Sequence, residues 1–325
     1  MSTTTSEPSV AVVGATGAVG NEIVELIAAR GFPHSRLTLF ASQSGAAGIL
    51  ETAQEEYLVE ALRDAEDLAA FDVAFLAVPE SVAADITRAA PGPLLIDLSG
   101  AARNPSSTVP MVAPGVTTRA QIAQLSSART FSIPHPAAQV LTLCLDALQP
   151  SVATASALAG ASAGGRGAIA RLVDQTTDLL SARLDLEEEE VQRAFNAFSR
   201  ETERALADRI ATQAAAMTAV ALSSLAVQLV SIPILHGTGL TVSAKLEASG
   251  EQWLENLRAT PGVLLIEEGQ PLSIVDAVGQ EAIQISAEQG RGGVNLWCAF
   301  DNTRLAALTA VWIAETFAIG APVAN

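Results

Sequence analysis

The sequence predicts an α/β protein in two parts, a parallel-sheet half followed by an α+β half with a largely antiparallel sheet. Three observations carry this. Val10 to Gly20 reads VAVVGATGAVG, an apolar β-branched run that stops at Gly14 and resumes as a helix. Strand-like runs at Arg36–Ala41, Phe71–Pro79, Leu94–Leu98 and Thr130–Ile133 then continue the first half, with a helix at Ser81–Ala90. Beyond Leu225 short strand-like runs dominate: 225–235, 240–246, 263–266, 282–286 and 294–300.

The first run has no polar residue among Val10, Val12 and Val13, as expected of a strand buried on both faces. Gly14, Gly17 and Gly20 punctuate the turn after it. Two of them let the backbone bend and an anion approach free N–H groups at the helix start, and the third permits close packing. Asn21–Arg30 continues as a helix with Ile23, Val24, Ile27 and Ala28 on one face. Strand, glycine turn and amphipathic helix in this order suit a Rossmann-like dinucleotide site built from Gly14, Thr16, Gly17, Ala18 and Val19. The spacing is G-x-x-G-x-x-G rather than G-x-G-x-x-G, and the alternative to a dinucleotide site is a tight βα turn needed only for packing.

At the end of the second strand such sites carry an acidic residue for a ribose hydroxyl or an arginine for a 2′-phosphate. Ser42, Gln43 and Ser44 stand there instead, so NAD and NADP remain undistinguished and affinity is expected to be weak or lost. Pro134–Gln139 leads into a helix through Leu148, in which Cys144 lies among Leu141, Leu145 and Leu148 as core. Val152–Gly160 is a strand and Ala161–Ala168 a glycine-rich turn into a helix. Glu187–Glu190 reads as a solvated helix start, and helical signals run from Arg200 to Leu222. Cys298 alternates in phase with Leu296 and Phe300, also as core, and Asp301 and Asn302 cap a last helix, 303–317.

Composition excludes several classes of partner. The 325 residues hold 35 acidic and 18 basic side chains, a net charge of −17, which argues against nucleic acid and anionic membranes. Ile210–Ala244 contains no ionisable Lys, Arg, Asp or Glu, but polar residues and a change of period near Leu225 favour a buried helix and strand over a membrane span. Two cysteines and no basic-plus-apolar leader before Val10 suggest a reducing cytoplasm.

Several motifs together resemble the aspartate-semialdehyde dehydrogenases over almost the whole length. They are GATGAVG, Asp97 and Ser99 followed by Arg103-Asn104-Pro105, Val109-Pro110 with Pro114, Ala194-Phe195-Asn196-Ala197, Ile232-Pro233 and Asp301-Asn302. The resemblance implies a nucleotide-binding domain, 1–132, completed by a C-terminal helix, 302–325, and a catalytic-like, dimerising domain, 133–301. It also implies a cysteine thiolate that attacks the aldehyde, a histidine base, a nicotinamide that takes the hydride, and phosphate that releases the acyl group.

The chain departs from that set at each step. Pro136 stands at the nucleophile position, within Pro134-His135-Pro136-Ala137-Ala138, and Thr238 at the position of the base. Ser231 replaces the substrate arginine, Ala159 the glutamine and Gly115 the glutamate. Only Arg103 remains where the family binds an anion, and it suits that role and a structural ion pair equally. The pattern is similar to that of Usg-type homologues, which keep the fold without the catalytic set. His34 reads as exposed, and His135 and His236 flank the centre without a third metal ligand, so no metal is expected. Three readings follow: a non-catalytic homodimer, nucleotide-binding or regulatory, with an unidentified protein partner; an aspartate-semialdehyde dehydrogenase whose nucleophile comes from elsewhere, such as Cys144; or altered chemistry through His135 or His236.

Overall fold

The computed structural model describes residues 7–42, 48–53, 55–89, 92–100, 109–183, 185–186, 190–246, 251–267, 269–290 and 293–320. Gln43, Ser44 and Arg103 lie outside these. The chain forms two units, Met1–Pro134 with Ala306–Asn325, and His135–Leu305.

In chain order the first unit contains β1 (Ser9–Val13), α1 (Ala18–Arg30), β2 (Arg36–Ala41), β3 (Ile49–Glu51), β4 (Glu56–Ala61), β5 (Val73–Leu76), α2 (Glu80–Ala89), β6 (Leu94–Asp97), α3 (Arg119–Gln124) and β7 (Thr130–Ser132). The strands form one sheet in the order β3-β4-β2-β1-β5-β6-β7, parallel except for β3 at its edge. β1 is central. Val10 and Val12 enter one core with Ile23, Val24 and Ile27 of α1, while Ala11 and Val13 enter the other with Leu68 and Ile86. Burial on both faces explains why Val10 to Val13 include no polar side chain. Helix α1 stops at Gly31, whose φ of 58° is left-handed, with Gly31 N–H on Ala28 and Phe32 N–H on Ile27, a Schellman-type end.

No periodicity in the sequence marks the β3–β4 hairpin. Its strands are short and carry exposed Glu51, Glu56 and Glu60, so their apolar alternation is faint, as is common at a protected sheet edge. The last helix, α8 (Asn302–Ala314), supplies Ala307, Ala310, Val311 and Ala314 to the β1 core, all with no exposed surface. Phe317, in the wider turn that follows, stacks on Phe131 with ring centroids 4.1 Å apart. Asp301 alone caps the helix, accepting from Thr303 N at 2.9 Å and Arg304 N at 3.0 Å. Asn302 lies within it and turns its amide elsewhere.

The second unit contains α4 (Pro136–Leu148), β8 (Pro150–Ala159), α5 (Gly165–Leu180), α6 (Glu201–Met217), β9 (Leu225–Ser231), β10 (Thr238–Leu246), α7 (Gln252–Ala259), β11 (Val263–Leu265), β12 (Ile283–Gly290) and β13 (Gly293–Phe300). Its sheet runs β11-β12-β13-β10-β8-β9, with the three inner pairings antiparallel and the two outer ones parallel. The uncharged stretch from Ile210 divides into the end of α6, β9 and the start of β10. Among the described residues no helix is long and apolar enough to cross a membrane. Glu187–Glu190 corrects one expectation. Residues 187–189 are not described, and Glu190 begins an irregular segment rather than a helix, its carboxylate accepting from Gln175 Nε2 at 2.8 Å. The next helix begins only at Glu201.

Candidate functional site

The turn after β1 is held by the chain itself. Gly14 takes φ +86°, and Gly14 N and Ala15 N both donate to Phe40 O, at 2.8 and 3.0 Å. A Cβ at Gly14 would stand 2.2 Å from Ala77 O, and one at Gly20 would stand 2.1 Å from Gly14 O. The first and third glycines are therefore required by packing whatever the turn binds. The third serves packing of the helix on the turn itself. What fits a nucleotide is the helix start: Gly17 caps α1 without a side-chain bond, and no acidic residue sits in the first turn. The N–H groups of Ala18 and Val19 thus open a helix with no intrahelical acceptor and an uncompensated positive end. Thr16 is half-buried beside them, and Ser42 is exposed where β2 ends.

In the second unit Pro136 is the first residue of α4, where its missing N–H costs nothing. His135 caps that helix, its Nδ1 accepting from Ala137 N at 3.2 Å, and its own backbone N donates to Gln213 Oε1 at 2.8 Å. Thr238 opens β10 and is 3% exposed, donating to Asn302 Oδ1 at 3.4 Å; Ser162 donates to the same oxygen at 2.9 Å. His236 is exposed in the loop before β10, not on a strand. His34 is half-buried rather than exposed, with Nδ1 2.7 Å from Phe32 O. Arg166 is exposed on the first turn of α5. No group of three or more His, Cys, Asp or Glu capable of holding a metal occurs among the described residues.

Cys144 and Cys298 are both without exposed surface, with sulfurs 3.7 Å apart. The hydrogen bond between them, then burial, pushes the Cys298 thiol well above its ordinary pKa.

A cavity of about 210 Å³ opens beside the end of β8, and Ala159 and Ser231 are both in its wall. Sequence reasoning missed its charged residues. Arg171 comes from α5, Arg193 from the segment before α6, and Arg200 from the cap of α6. Gln175 of α5, 5% exposed, ties down the segment that carries Arg193. Its Oε1 accepts from Arg193 N at 2.6 Å and Ala194 N at 3.4 Å. Phe198 and Ser231 exchange two backbone bonds, Phe198 N to Ser231 O at 3.0 Å and the reverse at 2.8 Å. The convergence depends on folding of segments far apart in sequence, so no local motif announces it.

A central parallel sheet with a glycine turn, joined to an α+β unit with a mixed sheet, is a two-part architecture of the Rossmann-like, dinucleotide-binding class. The semialdehyde dehydrogenase NAD binding domain family matches residues 9–125. A USG-1 protein homolog of Pseudomonas aeruginosa is 33% identical over 95% of this chain and 98% of its own. An aspartate-semialdehyde dehydrogenase of Rickettsia bellii is 26% identical over 96% of this chain and 98% of its own. The solved structure of a probable aspartate-semialdehyde dehydrogenase from Pseudomonas aeruginosa superposes with a TM-score of 0.82 at 31% identity, covering 94% of this chain and 97% of that one. The chain belongs to the aspartate-semialdehyde dehydrogenase family, as a USG-1-type member.

Proposed function

We propose that this chain keeps the nucleotide-binding fold of its family without the dehydrogenase reaction, and acts as a regulatory homodimer in the cytoplasm that binds NADP or NAD weakly. The observation that supports this most is Pro136, the first residue of α4, at the position where the family carries its nucleophile. Proline has no side-chain nucleophile, and Thr238 opposite β13 offers a buried hydroxyl instead of an imidazole. The family reaction needs both groups at once, and loss of a nucleophile alone costs on the order of 10⁶ in turnover.

Whole-length likeness to dehydrogenases favours a second reading, in which Cys144 attacks the aldehyde. Against it, a thiol with no exposed surface meets neither substrate nor base. Phosphate-dependent reduction of NADP by aspartate semialdehyde tests the two. No turnover above background is expected, and turnover that vanishes in Cys144→Ala would overturn the non-catalytic reading.

Nucleotide binding is measured separately by calorimetric titration with NADP and NAD. The start of α1 supports binding through Gly14, Thr16, Gly17, Ala18 and Val19, whereas Ser42, Gln43 and Ser44 bring no charge to a 2′-phosphate. A Kd of about 100 μM or weaker is expected for both, equivalent to ~5.5 kcal/mol. Micromolar NADP binding with a clear preference over NAD would show that the loop at Ser42 recognises the phosphate after all.

A further inference from the structure

We propose that Cys144 and Cys298 are a dithiol that a peroxide converts to a reversible intrachain disulfide, clamping α4 to the sheet of the second unit. Both belong to that unit, and the pair is independent of the nucleotide reading.

Position is the first argument. The chain has two cysteines, 154 residues apart, and folding brings their sulfurs to 3.7 Å, one thiol donating to the other. Packing alone explains a buried cysteine among leucines, but gives no reason for two thiols to meet. Cys144 lies in the second half of α4, and Cys298 lies on β13 between Leu240 of β10 and Ile285 of β12. The backbone is held on both sides. Beyond Cys144, Asp146 Oδ1 accepts from Thr218 Oγ1 at 2.7 Å and Ala147 O from Asn256 Nδ2 at 3.1 Å, while β13 is paired along both edges. Bonded sulfurs stand about 2.05 Å apart, so the pair must close by roughly 1.7 Å. Rotation about a single Cα–Cβ bond moves a sulfur further than that, and the helix need not shift.

Chemistry is the second. Leu141, Leu145 and Leu148 of α4 are buried, as are Leu240 and Ile285, so a thiolate is penalised here, whereas a disulfide carries no charge and leaves no donor unpaired. Burial also restricts the oxidant to a small molecule that enters when α4 loosens, which makes the reaction slow. The Cys144 sulfur attacks one peroxide oxygen and the O–O bond breaks. The departing hydroxide takes the thiol proton, leaving water and a sulfenic acid on Cys144. The Cys298 sulfur then attacks the Cys144 sulfur, the S–O bond breaks, and the second hydroxide leaves as water with the Cys298 proton. Two electrons have passed from the sulfurs to the peroxide. Cys298 takes the second step because its raised thiol pKa makes it the poorer first nucleophile. A link across 154 residues restricts the unfolded chain, so the oxidised protein is expected to melt ~5 °C or more above the reduced one.

The full chain, reduced and then freed of reductant, is incubated with excess hydrogen peroxide, quenched, denatured and treated with an alkylating reagent. The expected product carries no alkylated thiol and has lost about two daltons, the mass of two hydrogens. Cleavage after arginine should yield peptides 130–166 and 292–304 joined, and dithiothreitol should part them. Cys144→Ala and Cys298→Ala, each compared with itself before and after peroxide, should show neither the link nor the rise in melting temperature. Two alkylatable thiols after treatment, sulfinic or sulfonic acids without a link, links between chains, or a cross-linked protein that melts no higher than the reduced one would overturn the proposal.

Discussion

Pro136→Cys is expected to yield a protein with one fast-reacting thiol and still no dehydrogenase turnover. The position is half-buried at the first turn of α4, where a cysteine keeps the helix intact and the helix N-terminus favours its thiolate. Losing the proline costs about 0.4–1 kcal/mol through the unfolded chain. In the parent protein both thiols are buried, so a colorimetric thiol reagent should titrate none in the native state and two after denaturation. In Pro136→Cys it should titrate one natively. Turnover stays absent because Thr238 provides no base. Adding Thr238→His does not supply one: residue 238 is 3% exposed between Ala159 and Phe300, and an imidazole there overpacks the sheet by roughly 1–3 kcal/mol. A single variant that turns over at a hundredth of an active dehydrogenase's rate, or a fast thiol in the parent, would refute this account.

Gly20→Ala is expected to be strongly destabilising although it adds only one methyl group to the first unit. Its Cβ would lie 2.1 Å from Gly14 O and 2.8 Å from Ala15 Cα, all backbone, leaving no side chain to yield. The helix must lift off the turn, at a cost of about 3 kcal/mol or more. Gly17→Ala is the internal control, since its Cβ meets Gly14 O at 3.1 Å and should cost ~1 kcal/mol or less. Urea or thermal melts decide the matter. Near-equal melting of the two variants would mean that helix α1 does not pack as closely as described.

The first sheet was largely legible because its inner strands are apolar on both faces: VAVV, FDVAFL and LLID need no partner to be recognised. β3 and β4 were not, because glutamates interrupt both and their order comes from β4 pairing on β2 and β3 on β4. In the second unit the strands were found, but the helix expected at Glu190 was not there. A run of acids says that a segment is solvated without saying what shape it takes. The site divided in the same way. The glycine turn, Pro136 and Thr238 stand out because each can be read at one position. The arginine cavity depends on Gln175 and Ser231 holding the segment around Ala194-Phe195-Asn196-Ala197, so its charges meet only once the chain has folded.

The last helix gives synthesis of the protein a particular order. Ala307, Ala310, Val311 and Ala314 close the core that Val10, Val12, Phe75 and Ile96 begin. A ribosome finishes every strand of the first sheet long before it makes the residues that cover this face. Until then the sheet's oldest and most apolar strands have water, a chaperone or another nascent chain against them. A premature stop after Leu305 therefore exposes the beginning of the chain rather than its end, and degradation signals in such a truncated product would be read near the N-terminus.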